Sequence, residues 1–234
     1  ECPGHFGHIE LAKPVYHPGF IKKVKKILEV VCHNCSKVLA DRSDEEFLAA
    51  VNTRDPKLRF NRVWAVCKKQ KNCYIEKEVK KDKDDEFSNE APAKTATKHG
   101  GCGNVQPTVR QAALQLFSTQ EVKQEDGGNI KDKKVITPEA AHGILRRISD
   151  SDLRDMGLNV DYARPEWLIV TVLPVPPPPV RPSISMDGSG TGMRNEDDLT
   201  YKLGDIIRAN GNVRQAIADG APQHIITDFE NLLQ

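Results

Sequence analysis

Six cysteines fall along the 234 residues at Cys2, Cys32, Cys35, Cys67, Cys73 and Cys102, and two of their settings suit a metal ion. Cys32-His33-Asn34-Cys35 spaces two thiols so that both sulfurs can converge on one tetrahedral zinc at about 2.3 Å. His99-Gly100-Gly101-Cys102-Gly103 surrounds a third thiol with glycines, which permit a tight turn that presents it outward. The fourth ligand is Cys67 or Cys73. Phe60, Val63, Trp64 and Cys67 recur at helical spacing, which assigns Cys67 to a buried stripe as a small apolar residue. Cys73 follows Lys71 and Asn72 where that helix should end, a place from which a thiolate can be aimed. The expected structural zinc set is therefore Cys32, Cys35, Cys73 and Cys102. Cys2-Pro3-Gly4-His5 supplies a CxxH half-site, with His8 as an alternative nitrogen ligand. Two ligands do not close a structural site, so this chain alone should hold zinc there weakly or not at all.

Metal explains the cysteines better than disulfides do, because the chain is long and charged and shows no export signal. Lys plus Arg number 34 and Asp plus Glu 33, a net charge of +1, so no global field draws the chain to nucleic acid and any such contact must be local. Aromatic residues make up 6% against 29% charged, so metal sites or neighbouring surfaces must supplement the core. No apolar run approaches a membrane span, and no membrane partner is expected. Nothing marks a catalytic centre: there is no acidic triplet for two-metal chemistry, no phosphate-cradling glycine loop, and no nucleophile with a base. Asp197-Asp198 is the nearest acidic candidate, and its place in a helix first turn suits dipole compensation rather than magnesium.

Helices must position these groups. Phe20, Val24, Ile27, Leu28 and Val31 form an apolar stripe with Lys22, Lys23, Lys25 and Lys26 off it. Ser43-Asp44-Glu45-Glu46 reads as a capping box, and Thr137-Pro138-Glu139 as an N-cap with proline in the first turn. The helix after Thr137 should bury Ala141, Ile144, Leu145 and Ile148 and leave Arg146 and Arg147 outside. Asn195 is the candidate cap of a helix with Leu199, Leu203, Ile206 and Ile207 as its core face, stopped or interrupted near Gly211. A last helix should open at Pro222. Val79 to Thr97 mixes charges with little apolar content and is expected to be a disordered insertion in the zinc loop.

Between Trp167 and Leu203 an apolar run meets four prolines, Pro176 to Pro179, which favour an extended rod carrying a tip loosened by Gly188, Gly190 and Gly192. VLPVPPPPVRPSISM followed by EDDLTYKL resembles the clamp and lid region of the largest subunit of eukaryotic RNA polymerase II. ECPGHFGHIELAKPVYHPGF resembles the zinc-bearing start of that subunit, and TPEAAHGILRRISDSDLRDMGL resembles its clamp helices. The three occur in the family's order, so the resemblance spans nearly the whole chain.

The resemblance implies a fold class: mainly α with short β strands, a zinc-stabilised clamp module of irregular architecture. It implies a zinc-binding clamp region over 1–136, clamp helices and a strand over 137–173, a lid loop over 174–195, and clamp core helices over 196–234. The family's clamp zinc site has positions matching Cys32, Cys35, Cys73 and Cys102. Cys2 and His5 match half of a second site whose other two cysteines lie upstream, which together with the Glu1 start suggests a piece of a longer polypeptide. The implied role is mechanical: the clamp holds the DNA/RNA hybrid and the lid helps separate transcript from template, with Arg181 and Arg194 as candidate phosphate contacts. The catalytic Mg2+ would be bound outside this chain. Partners would be template DNA, RNA transcript, the second-largest and smaller polymerase subunits, and general transcription and elongation factors, all in the nucleus. An independent zinc-dependent interaction module, or the equivalent subunit of another nuclear polymerase, are the alternatives.

Overall fold

The computed structural model describes residues 2–73, 100–123, 129–186, 188, 190 and 192–234. The expected insertion at 79–97 and His99 lie outside the described residues. Helices and short strands alternate irregularly, as the sequence predicts, in two compact units. Among the described residues, no helix is long and apolar enough to cross a membrane.

One unit runs from Pro18 to Leu168. Its first helix, α1 (Ile21–Leu28), buries Ile21, Val24, Ile27 and Leu28. Phe20 does not belong to that stripe; it precedes the first turn, is 45% exposed, and Ile21 takes its place because the helix begins one residue later. Helices α2 (Glu45–Val51) and α3 (Pro56–Cys67) follow. The cap of α2 is Asp44, whose carboxylate accepts from the Glu46 N–H at 2.9 Å, while the Ser43 hydroxyl turns back to Asp41. A charged acceptor beside the same N–H groups outcompetes the neighbouring hydroxyl, so the predicted capping box is replaced by a one-residue shift.

Strands β2 (Thr108–Ala112), β3 (Gln115–Lys123) and β4 (Asn129–Ile136) form an antiparallel meander. Val109, Leu116 and Ile136 are buried, whereas the exposed Arg110 and Val135 flank Phe117 in register on the alternate side. Helix α4 (Pro138–Arg146) is capped by the Thr137 hydroxyl and buries Ala141, Ile144 and Leu145; Ile148 is also buried, and Arg146 and Arg147 are exposed. Helix α5 (Asp150–Asp155) and a 3-10 turn at Pro165–Leu168 complete the unit.

The other unit joins Glu1–His17 to Ile169–Gln234. Strand β1 (Gly7–Tyr16) pairs antiparallel with β5 (Ile169–Val175), and the register slips between Glu10 and Val15. Pro14 lies in that slip and has no N–H to give a ladder. Helix α6 (Asp198–Ala218) repairs it: buried Asn210 accepts from the Ala12 N–H at 2.7 Å and donates to the Glu10 carbonyl at 2.9 Å. The Gln234 amide, just after α7 (Gln223–Leu233), treats Tyr16 the same way, accepting from its N–H and donating to its carbonyl.

Three expectations about this unit are corrected. Asp197, not Asn195, caps α6, accepting from Leu199 N–H at 2.8 Å; Asn195 instead lies in the two-residue strand β7 (Arg194–Asn195), paired with β6 (Ile184–Ser185). Helix α6 runs unbroken through Gly211, and its buried residues are Asn210, Val213 and Ala216, while Leu199 and Ile207 are 47% and 57% exposed. Leu203 and Ile206 are half-buried, so the expected face is covered only in part and the fully buried positions lie nearer the C-terminal end of the helix. The proline arm is not a continuous rod: Pro178–Val180 form a 3-10 turn closed by Val180 N–H to the Pro177 carbonyl at 3.0 Å. Proline fixes φ near a value that polyproline II and 3-10 geometry share, and ψ remains open.

Candidate metal centre

Four thiols separated by up to 70 residues meet in the Pro18–Leu168 unit. The Sγ atoms of Cys32, Cys35, Cys73 and Cys102 all lie within 4.8 Å of one another. Cys32 and Cys102 are 3.5 Å apart and Cys35 and Cys73 3.7 Å. Four sulfurs around a tetrahedral zinc at about 2.3 Å stand about 3.8 Å from each other, so the donor set and its size fit the ion. Cys67 stays outside, fully buried on α3 beside Phe60 and Val63, where burial pushes its thiol up to about 12.

Each half of the cluster is shaped by its backbone. After α1 the chain folds back on itself: Val31 bridges Val38, Cys32 N–H donates to the Lys37 carbonyl at 2.8 Å, and Ser36 N–H donates to the Cys32 carbonyl at 2.9 Å. Ser36 takes a left-handed φ of 60° to close this knuckle. Asn34 N–H points at Cys32 Sγ from 3.4 Å, as a donor to a thiolate should. The second half is a matching bend in which Asn72 bridges Val105 and Cys73 N–H donates to the Asn104 carbonyl at 2.9 Å. Lys37 Nζ donates to the Gly100 carbonyl at 2.8 Å and ties the halves together.

Gln106 is the residue that motif spacing could not reveal. Its Nε2 donates to Cys32 Sγ at 3.2 Å and to the Asn104 carbonyl at 2.8 Å, while its Oε1 accepts from His33 N–H at 3.0 Å. One amide thus orients both knuckles, the task of an outer-shell partner in a metal site. Gln106→Leu should weaken zinc retention about 10- to 100-fold with the four thiols intact. Competition against a chromophoric chelator measures this, and unchanged retention would show that the amide only bridges loops. His33, inside the CxxC, is no ligand: its Nε2 meets the Leu28 carbonyl at 3.0 Å, and burial lowers its pKa.

The thiols differ in readiness. The Asn104 backbone N–H, foremost, holds Cys102 down to about 6, whereas burial pushes Cys32 and Cys73 upward. A divalent cation must therefore displace protons from the buried pair, and its retention should fall as pH is lowered.

At the N-terminus the two candidate ligands of the expected half-site lie close together. Cys2 Sγ and His5 Nε2 stand 4.0 Å apart, both exposed, and Gly4 N–H points at Cys2 Sγ from 3.4 Å. His8 is exposed on β1. Gly4 has φ +79° and a Cβ there would sit 2.7 Å from Pro177 Cβ, so glycine is needed for both the turn and the close approach.

The two arginines singled out in the proline arm and tip have different surroundings. Arg181 is half-buried; its Nε donates to the Pro176 carbonyl at 3.0 Å and its guanidinium reaches Thr200 Oγ1 at 3.4 Å. Arg194 is exposed on β7 beside Met193, which is 82% exposed.

The family model for RNA polymerase Rpb1, domain 1 matches residues 1–234. The DNA-directed RNA polymerase II subunit RPB1 of Euplotoides octocarinatus is 40% identical over 234 residues, which is 100% of this chain and 45% of that relative. The chain thus spans less than half the length of that relative. With a match over its full length, the chain belongs to the RNA polymerase Rpb1, domain 1 family, the family of the RNA polymerase largest subunit.

Proposed function

We propose that this chain is the zinc-held clamp and lid part of the largest subunit of a nuclear DNA-directed RNA polymerase II, which transcribes DNA into RNA. The full-length family match carries the reading, and the identity of the 40% identical relative as a polymerase II subunit favours polymerase II over its paralogues. Zinc would be held by Cys32, Cys35, Cys73 and Cys102, which fixes the knuckles against α1 without performing chemistry. Cys2 and His5 would complete a second zinc site with ligands from elsewhere in the parent subunit. Catalytic Mg2+ would sit outside these residues. The partners would be template, transcript, the second-largest and smaller subunits, and general transcription and elongation factors.

The lid assignment, 174–195, is supported by the β6–β7 hairpin. Ile184, Met186 and Met193 are 66%, 65% and 82% exposed there, an apolar tip suited to a nucleobase at the end of a hybrid. Arg194 beside it would meet a phosphate, and Arg181 would set the posture of the arm through Pro176 and Thr200. In the reconstituted polymerase, changing Arg181 and Arg194 together to glutamine should lengthen the hybrid seen by nuclease footprinting and shorten the life of the elongation complex in salt. Unchanged hybrid length and salt stability would sink the lid assignment.

A further inference from the structure

Arg146, Arg147 and Ser149 lie where α4 gives way to α5, away from the thiol cluster and the proline arm. Ser149 is the one serine or threonine in the chain with arginine at both the third and the second position before it. All three residues are exposed. Neither arginine enters an ion pair among the described residues.

The acids that follow Ser149 are engaged within the fold. Asp150 accepts from Arg164 Nη1 at 2.7 Å, and Asp152 adds to the field of Asp155 that keeps the Arg42 guanidinium charged. An enzyme that reads cations before a serine therefore finds its determinants free, and one that reads acids after it does not. Ser149 has φ −71° and ψ 152°, an extended backbone like that of a chain laid in a kinase cleft. The connection is loosely held. Arg147 N–H to the Ile144 carbonyl and Ile148 N–H to the Leu145 carbonyl are both 3.3 Å, longer than the usual length of about 2.9 Å. Ile148 is 2% exposed, so presenting the row requires the last turn of α4 to open, a local event.

We propose that Ser149 is a phosphorylation site for an arginine-directed protein kinase, which reads Arg146 and Arg147 and uses ATP as phosphoryl donor. Ser149 Oγ attacks the γ-phosphorus of ATP. The new O–P bond forms as the bond from that phosphorus to the β–γ bridging oxygen breaks, ADP leaves, and the hydroxyl proton passes to the kinase's catalytic aspartate. The product carries about −1.5 to −2 charge at pH 7. It falls on the wall of an open cleft of about 480 Å3 that Ser149 shares with Lys37, Arg42 and Arg147. Lys37 is held by the Gly100 carbonyl and Arg42 by Asp155, which leaves Arg147 as the cation for the phosphate. Cys35 and Ser36 line the same cleft, so the modification places a dianion beside the metal-binding knuckle. Ser149 would be read in this way whether or not the segment closes a polymerase clamp.

The test is incubation of the folded, zinc-loaded chain with ATP, Mg2+ and the catalytic subunit of cyclic-AMP-dependent kinase, with the site located by peptide mass spectrometry. One phosphate at Ser149 is expected. Ser149→Ala should abolish it, and so should Ser149→Asp, which keeps an N-cap acceptor and so guards against loss through misfolding. Ser151→Ala should leave it unchanged. Arg146→Gln and Arg147→Gln should each lower the kinase's kcat/KM about 10- to 100-fold, the loss of one charge-assisted contact. Melting temperature confirms that each variant is folded. No labelling of Ser149 in the folded chain, an unchanged kcat/KM in both arginine variants, or labelling of Ser149 by an acid-directed kinase alone overturns the proposal.

Discussion

Cys73→Ser is expected to reduce bound zinc from one per chain to near zero, while Cys67→Ser leaves it in place. The two residues are six positions apart and both nearly inaccessible, yet only Cys73 brings its sulfur within reach of Cys32, Cys35 and Cys102. Apparent zinc affinities of structural sites amount to about 10–16 kcal/mol, and that binding free energy is folding free energy for the segments the metal joins. Loss of Cys73 should therefore release the 100–107 bend from the 30–39 knuckle as well as the ion. Cys67→Ser buries a hydroxyl in an apolar stripe and should cost about 1–3 kcal/mol of stability without touching the metal. Elemental analysis and thermal melting separate the two effects. Zinc lost from Cys67→Ser and kept in Cys73→Ser would reverse the ligand assignment.

Gly157→Ala should be the most damaging small substitution outside the metal centre. Helix α5 ends in a Schellman turn in which Gly157 N–H donates to the Arg154 carbonyl at 3.0 Å and Leu158 N–H to the Leu153 carbonyl at 2.9 Å. Gly157 has φ +76°, and a Cβ there would lie 2.7 Å from the Pro56 carbonyl oxygen and 3.2 Å from Pro56 Cα. Left-handed backbone costs a non-glycine residue about 1–2 kcal/mol. Displacing the first turn of α3, which cannot yield as a flexible side chain would, adds about 1–3 kcal/mol. Together these give about 3 kcal/mol, or about 6–12 °C in melting temperature for a unit of this size. Gly143→Ala is the control: it sits in the middle of α4 with nothing within 4 Å of an added Cβ, and should gain up to about 1 kcal/mol. Equal melting temperatures for the two variants would contradict the close approach of α5 to α3.

The thiol cluster was legible in the sequence because its signals are local. CxxC spacing, a glycine-flanked cysteine and a helical stripe that claims Cys67 are each readable within a few residues. The framework that completes the site was not, because Gln106 acts through an amide that touches Cys32 and His33 across more than 70 residues. Asn210 was hidden for the same reason: a polar residue on a helix reads as solvated until a bulged strand is known to lie beneath it. Strand β4 carries little sequence signal, because Lys131, Asp132, Lys133 and Lys134 break any alternation of apolar and polar residues, although Lys133 Nζ lies 4.1 Å from the centre of the Phe117 ring. The five helix starts that the sequence marks, near Phe20, Ser43, Thr137, Asn195 and Pro222, lie within a residue or two of the observed ones, whereas the starts of α3 and α5 went unread. Cap identity was fixed by which of several adjacent acceptors, Ser43 or Asp44, Asn195 or Asp197, met the first N–H groups.

Zinc-edge X-ray absorption on the purified chain tests the central claim most directly, because it reads the ion and its ligands without altering any residue. One zinc per chain with four sulfur neighbours at about 2.3 Å is the result the cysteine geometry predicts. A folded chain without zinc, or a first shell containing nitrogen or oxygen, would contradict it.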